Sequence, residues 1–99
     1  MIACNLNFYF HLLTLFDQPL PRDPRTGLPI PDSPYPHTQL GSRTSRRTGD
    51  TYRQAREFGY DGEIIRDIDF TNHRRADHTN PHQHRYNQLT GKRQSAEPL

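Results

Sequence analysis

Valine and tryptophan are missing from this 99-residue chain, cysteine and methionine occur once each, and only 30% of the residues are hydrophobic. The lone cysteine, Cys4, excludes an internal disulfide and any zinc site built on several thiolates, so a bound metal would need histidine and carboxylate ligands. So few apolar side chains limit the chain to one small domain of modest stability. Long apolar runs are lacking too. The longest, Asn7 to Phe16 (NFYFHLLTLF), is about half of the roughly 20 residues needed to span a bilayer. It also has no basic region before it and no small-x-small cleavage site after it, so export by an ordinary signal peptide is not expected. No membrane insertion is expected.

Thirteen basic against eleven acidic side chains leave a formal charge of +2, too little to define a polyanionic partner. The distribution says more. From Gln39 onward there are eleven basic and eight acidic side chains, against two and three before it, and every basic residue but Lys92 is arginine. Guanidinium suits bidentate phosphate contacts, so the C-terminal part is the candidate nucleic-acid face, with Arg43, Arg46 and Arg47 forming one patch. Seven of the nine prolines fall between Asp17 and His37. Proline fixes φ and removes an amide donor, so residues 1–36 read as an apolar leader and an extended, poorly ordered linker before a domain of residues 37–99.

Within that domain, His37 to Asp50 reads as an irregular or short-strand segment. Two alternating runs, Thr51 to Phe58 and Ile64 to Phe70, flank the turn-forming Gly59-Tyr60-Asp61-Gly62, which predicts a β-hairpin. A helix over Tyr52 to Phe58 is the competing reading, because Gln, Ala, Arg and Glu favour helix locally. On the second strand, Ile64, Ile68 and Phe70 are expected on the core face with Arg66 snorkelling at its edge, and Asp67 and Asp69 on the opposite face. A third short strand is predicted after Pro81, with His82, His84 and Tyr86 on one side, and then a Thr-Gly turn and a frayed tail. The fold class is a small α+β or mostly-β single domain built on a hairpin.

The stretch Asp67 to Tyr86, DIDFTNHRRADHTNPHQHRY, holds four of the six histidines. Imidazole is the side chain suited to proton transfer at neutral pH, and two imidazoles beside a phosphodiester suffice to cleave RNA without a metal. His73, His78, His82 and His84 are the candidates for proton transfer. Asp67 or Asp69 could orient an imidazole, and Arg74, Arg75 and Arg85, with Arg47, are candidates for phosphate binding. The same residues can be read as a metal site, with His-x-His aiming two imidazoles one way and Asp67, Asp69 or Asp77 completing the set. The metal-free route is preferred, with no cofactor, because nothing local brings the two acids to the His82/His84 face and arginines raise the cost of a divalent cation. A non-catalytic RNA- or metal-binding module is the alternative of another class.

Residues His37 to Leu99, through QARE, DIDFT-x-H, NPHQHR and the closing AEPL, resemble the C-terminal toxin cassettes of bacterial polymorphic toxins, particularly those that end RHS-repeat proteins. The resemblance implies a nuclease, mostly acting on RNA, delivered into the cytoplasm of a competing cell and neutralised by a cognate immunity protein, here separated from its delivery region. A monomer is expected. It also implies Asp67, Asp69, His73, His82 and His84 as the core of the site, with Arg56 beside them. The chain departs from the pattern at Arg74, where glycine is usual, and at Tyr86, where tryptophan is common.

Overall fold

The computed structural model describes residues 18–99, so the apolar run from Asn7 to Phe16 lies outside the described residues. The expected hairpin is present. β2 (Thr51–Phe58) and β3 (Ile64–Asp69) pair antiparallel across a single 3-10 turn at Tyr60–Gly62, in which Asp61 and Gly62 take positive φ. The helical alternative for Tyr52 to Phe58 is thereby excluded, because cross-strand pairing on both sides outweighs local propensity. What reads locally as irregular is an eight-residue strand, β1 (His37–Thr44), paired with β2 along its whole length. β4 (His82–Arg85) begins directly after Pro81, as expected, and the Asn80–Pro81 bond is cis. The tail does not fray: β5 (Glu97–Pro98) pairs with β4 and completes an antiparallel meander in the order β1-β2-β3-β4-β5. The domain is a mostly-β one.

The short connections are made by local turn chemistry. Between β1 and β2 the Ser45 amide donates to the Asp50 carbonyl and Gly49 takes φ 77°. After β4, the Asn87 side chain accepts from the Leu89 and Thr90 amides and Gly91 takes φ 71°, which turns the chain back along β4. The Pro-rich segment is no free linker in its described part. The Ser42 amide donates to the Gln18 carbonyl, Pro19 bridges to Ser42, and Leu20 is buried against Gly41. Proline excludes this segment from a regular ladder, yet it lets an extended strip lie on the edge strand and blunt it.

The pleat of β3 sorts its side chains as expected but buries the other set. Asp67 and Asp69 are fully buried, Ile64 and Ile68 are half-buried on the opposite face, and Phe70 is exposed. The register explains the inversion. Asp67 lies opposite Arg56 on β2 and His84 on β4, and Asp69 lies opposite Gln54 and His82, so every group that can neutralise or hydrogen-bond the acids stands on their side. The outer face carries a polar ladder instead, in which Arg66 binds Glu57 and Gln83, and Arg85 binds Glu97. Among the described residues the buried apolar side chains are Leu20, Tyr52, Ala55, Phe58 and Tyr86, together with the Pro29 ring, against eight buried polar or charged ones.

Candidate functional site

Two carboxylates at successive inward positions of β3 organise the interior, and they are satisfied in different ways. Asp67 accepts Arg56 Nε at 2.7 Å and Nη2 at 3.2 Å and the Tyr86 hydroxyl at 2.9 Å, and lies 3.3 Å from Arg93 Nε. Its lone pairs are committed to structure. Burial, followed by the charge of Asp67, raises the Tyr86 phenol above its ordinary value, so it stays a donor. Asp69 accepts Gln54 Nε2 at 2.8 Å on Oδ1, while Oδ2 accepts Arg93 Nη2 at 2.9 Å and faces three imidazoles. Its Oδ2 stands 3.6 Å from His73 Nε2 and 3.5 Å from Nε2 of both His82 and His84.

The imidazoles are held by their other nitrogens. His82 Nδ1 donates to the Thr71 carbonyl at 2.7 Å, and His84 Nδ1 donates to the Gln94 carbonyl at 2.9 Å. A carbonyl only accepts, so both Nδ1 atoms carry hydrogen, and the two Nε2 atoms meet 3.1 Å apart. His73 arrives from the loop between β3 and β4, where the Thr71 hydroxyl accepts its amide and the Asn72 side chain accepts that of Arg74. These two turns hold His73 and Arg74 at φ 55° and 57°, a left-handed conformation that glycine takes without cost. Burial lowers the basicity of His73, His78 and His84; for His73 the charge of His82 adds to it and Asp69 opposes it.

Over this cluster lies a cleft of about 540 Å³. Arg43, Arg46, Arg47, Arg75 and Arg93 line it with Tyr52, and His73, His78 and His84 reach its wall. His82 is fully buried beneath them and does not reach the cleft. The sequence-predicted residues therefore separate. Asp69, His73, His82 and His84 come together; His78 stands beside them, with ring centroids 5.7 Å from His73 and 5.0 Å from His82. Arg47 and Arg75 reach the cleft, Arg47 also donating to the His73 carbonyl. Arg56 is sealed inside with Asp67, Arg74 pairs with Asp50 outside the cleft lining, and Arg85 pairs with Glu97 on the outer face. Nothing local was expected to bring the acids to the His82/His84 face, and it is the β3–β4 register that does so, setting Asp69 directly opposite His82.

Sequence reasoning missed Arg93 and Gln54. Arg93 sits in the turn after β4, and the Tyr86–Arg93 bridge returns it to the cluster; no local pattern marks it. Gln54 could have been found from its inward parity with Arg56 on the predicted strand. Arg43 and Arg46 were visible as a basic patch, but their place beside the histidines depends on the turn after β1. No helix among the described residues is long and apolar enough to cross a membrane. Comparison of the chain with protein-family models, with curated proteins and with solved structures finds no match to any of them.

Proposed function

We propose that this chain is a nuclease domain of the polymorphic-toxin type that cleaves RNA phosphodiester bonds by proton transfer between histidines. The observation that carries the reading is the cleft: arginines line it, and imidazoles whose Nε2 atoms face one buried carboxylate reach its wall. A phosphate held by Arg93, Arg75 and Arg47 would set its ester oxygens against His84 and His73. His84 is the base. Its Nδ1 is locked by Gln94 and burial keeps it neutral, so Nε2 accepts the ribose 2′-hydroxyl proton as that oxygen attacks phosphorus. His73 is the acid: protonated, it is stabilised by Asp69 at 3.6 Å and gives its proton to the departing 5′ oxygen as the P–O5′ bond breaks. The product is a 2′,3′-cyclic phosphate. A cognate immunity protein covering the cleft belongs to the same reading.

The test is incubation of the purified chain with RNA in the presence of chelator, with end-group analysis of the fragments. Cyclic phosphate ends, lost in His84→Ala and in His73→Gln and retained in Arg85→Ala, are expected. Stoichiometric RNA binding without fragments would establish a binding module instead. Equal cleavage of DNA would sink the role of the 2′-hydroxyl.

A further inference from the structure

With both Nδ1 atoms donating elsewhere, the Nε2 atoms of His82 and His84 stand 3.1 Å apart, a separation that needs something positive between them, a shared proton or a metal ion. His82 and His84 are fixed in that arrangement by backbone carbonyls, and Asp69 Oδ2 stands 3.5 Å from both nitrogens. His73 Nε2 is the fourth atom, 3.6 Å from the same oxygen, and all four lie within 4.8 Å of one another. Tetrahedral zinc, with bonds of about 2.0–2.2 Å, sets its ligand atoms about 3.3–3.6 Å apart. The separations from Asp69 Oδ2 are close to those edges, and the outer contacts are those of ligating residues, with each strand imidazole donating Nδ1–H to a carbonyl and the carboxylate oriented by Gln54. Arg93 does not displace a cation, since a carboxylate oxygen has two lone pairs and Arg93 takes one of them.

The geometry points to a tetrahedral site for a zinc-class divalent cation, formed by Asp69 Oδ2 and the Nε2 atoms of His73, His82 and His84, that staples the loop carrying His73 to the sheet and holds the nuclease off. Four protein ligands close the coordination sphere and leave no position for a reactive water, which is the arrangement of structural rather than catalytic zinc. Among the described residues few apolar side chains are buried, and a domain held together in that way gains most from such a staple. The off-state rests on the proton-transfer reading above: the ion occupies the lone pairs of His84 and His73 that cleavage requires.

Cobalt(II) is the probe. The full chain, stripped by chelator, is titrated with it and followed by visible absorption. One equivalent should give the intense bands of a four-coordinate centre, and zinc should displace it and raise the thermal midpoint. His78→Gln should bind as the parent does. His82→Gln should abolish the bands, and His73→Gln, which alters only a loop residue and leaves the sheet to fold, should weaken binding by about tenfold or more. A weak six-coordinate spectrum, or binding indifferent to both substitutions, overturns the site. RNA cleavage by the stripped protein should stop with one equivalent of zinc and return with chelator; cleavage by the zinc-loaded protein overturns the off-state. A four-coordinate cobalt centre in a protein that cleaves nothing in either state keeps the metal site and sinks the nuclease reading, so the two fail separately.

Discussion

Asp67 and Asp77 are both paired with arginine, and their surroundings give the two pairs opposite worth. The Asp67–Arg56 pair is sealed, with side-chain exposures of 0% and 2%, whereas Asp77 and Arg75 are 63% and 47% exposed. Removing one member of a sealed pair leaves an uncompensated charge in the interior, at a cost of about 3–5 kcal/mol. Asp67→Ala is therefore expected to lose most of the domain's stability by urea unfolding. Asp77→Ala is expected to leave the midpoint where it is, even though Arg75 holds the Asp77 carboxyl down at about 2, because water screens that pair. Equal effects of the two substitutions would show that burial does not set the worth of these ion pairs. Arg74 poses a backbone question instead. At φ 57° its left-handed conformation costs a β-branched side chain about 1–2 kcal/mol and glycine nothing. Arg74→Gly should keep the thermal midpoint or raise it, and Arg74→Val should lower it; the reverse order would show that the turn tolerates a Cβ freely.

At the scale of elements, edge protection and the loop between β3 and β4 decide what the sheet can carry. A Cβ at Gly41 would meet the Gln18 carbonyl at 2.7 Å and Leu20 Cγ at 2.8 Å, so the Pro-rich strip closes on β1 only over a residue without a side chain. Gly41→Ala should cost about 1–3 kcal/mol by overpacking, and limited proteolysis should then cut within residues 18–36 faster than in the parent. Unchanged stability and unchanged cutting would show that the strip adds nothing to the domain. The loop after β3 is pinned at both ends by one ring, since His82 Nδ1 lies 2.7 Å from the Thr71 carbonyl and 3.1 Å from that of Thr79. A residue read as a candidate for proton transfer thus holds the loop that delivers His73.

For the molecule as a whole, acid should loosen the metal-free fold. Burial lowers His73, His78 and His84 below the ordinary 6.5, so below that pH the unfolded chain binds protons that the folded one refuses, and stability falls with pH. His37 works the other way. Its ring, stacked on Phe58, is raised chiefly by the Tyr35 carbonyl and then by Gln39, so its contribution is complete below 6.5 and is lost as pH rises through its folded value. Three groups oppose one. With chelator present, the urea midpoint should be lower at pH 5 than at pH 7.5, and His37→Gln should steepen the fall. A midpoint equal or higher at pH 5 would mean that the histidine cluster is already charged in the folded state.

Turn residues and alternation were enough to read the hairpin and the strand after Pro81, because a Gly-bearing loop and a proline act over a few residues. Composition alone established that no internal disulfide could support the fold, and the crowding of His73, His78, His82 and His84 marked the place of the candidate site. Which face of β3 lies inside was not readable. Apolar residues ordinarily choose the inside, and here Asp67 and Asp69 are buried because Arg56, Gln54, Tyr86 and Arg93 converge on them from other elements. The meeting of Asp69 with His82 and His84 follows from the cross-strand register, and that of Arg93 with Asp69 from a tail that returns along β4. Both are pairings between residues distant in sequence, and no local spacing records them; the sequence alone determined which chemical groups are present and which short turns connect them, while the tertiary structure decided which lone pairs point at one another.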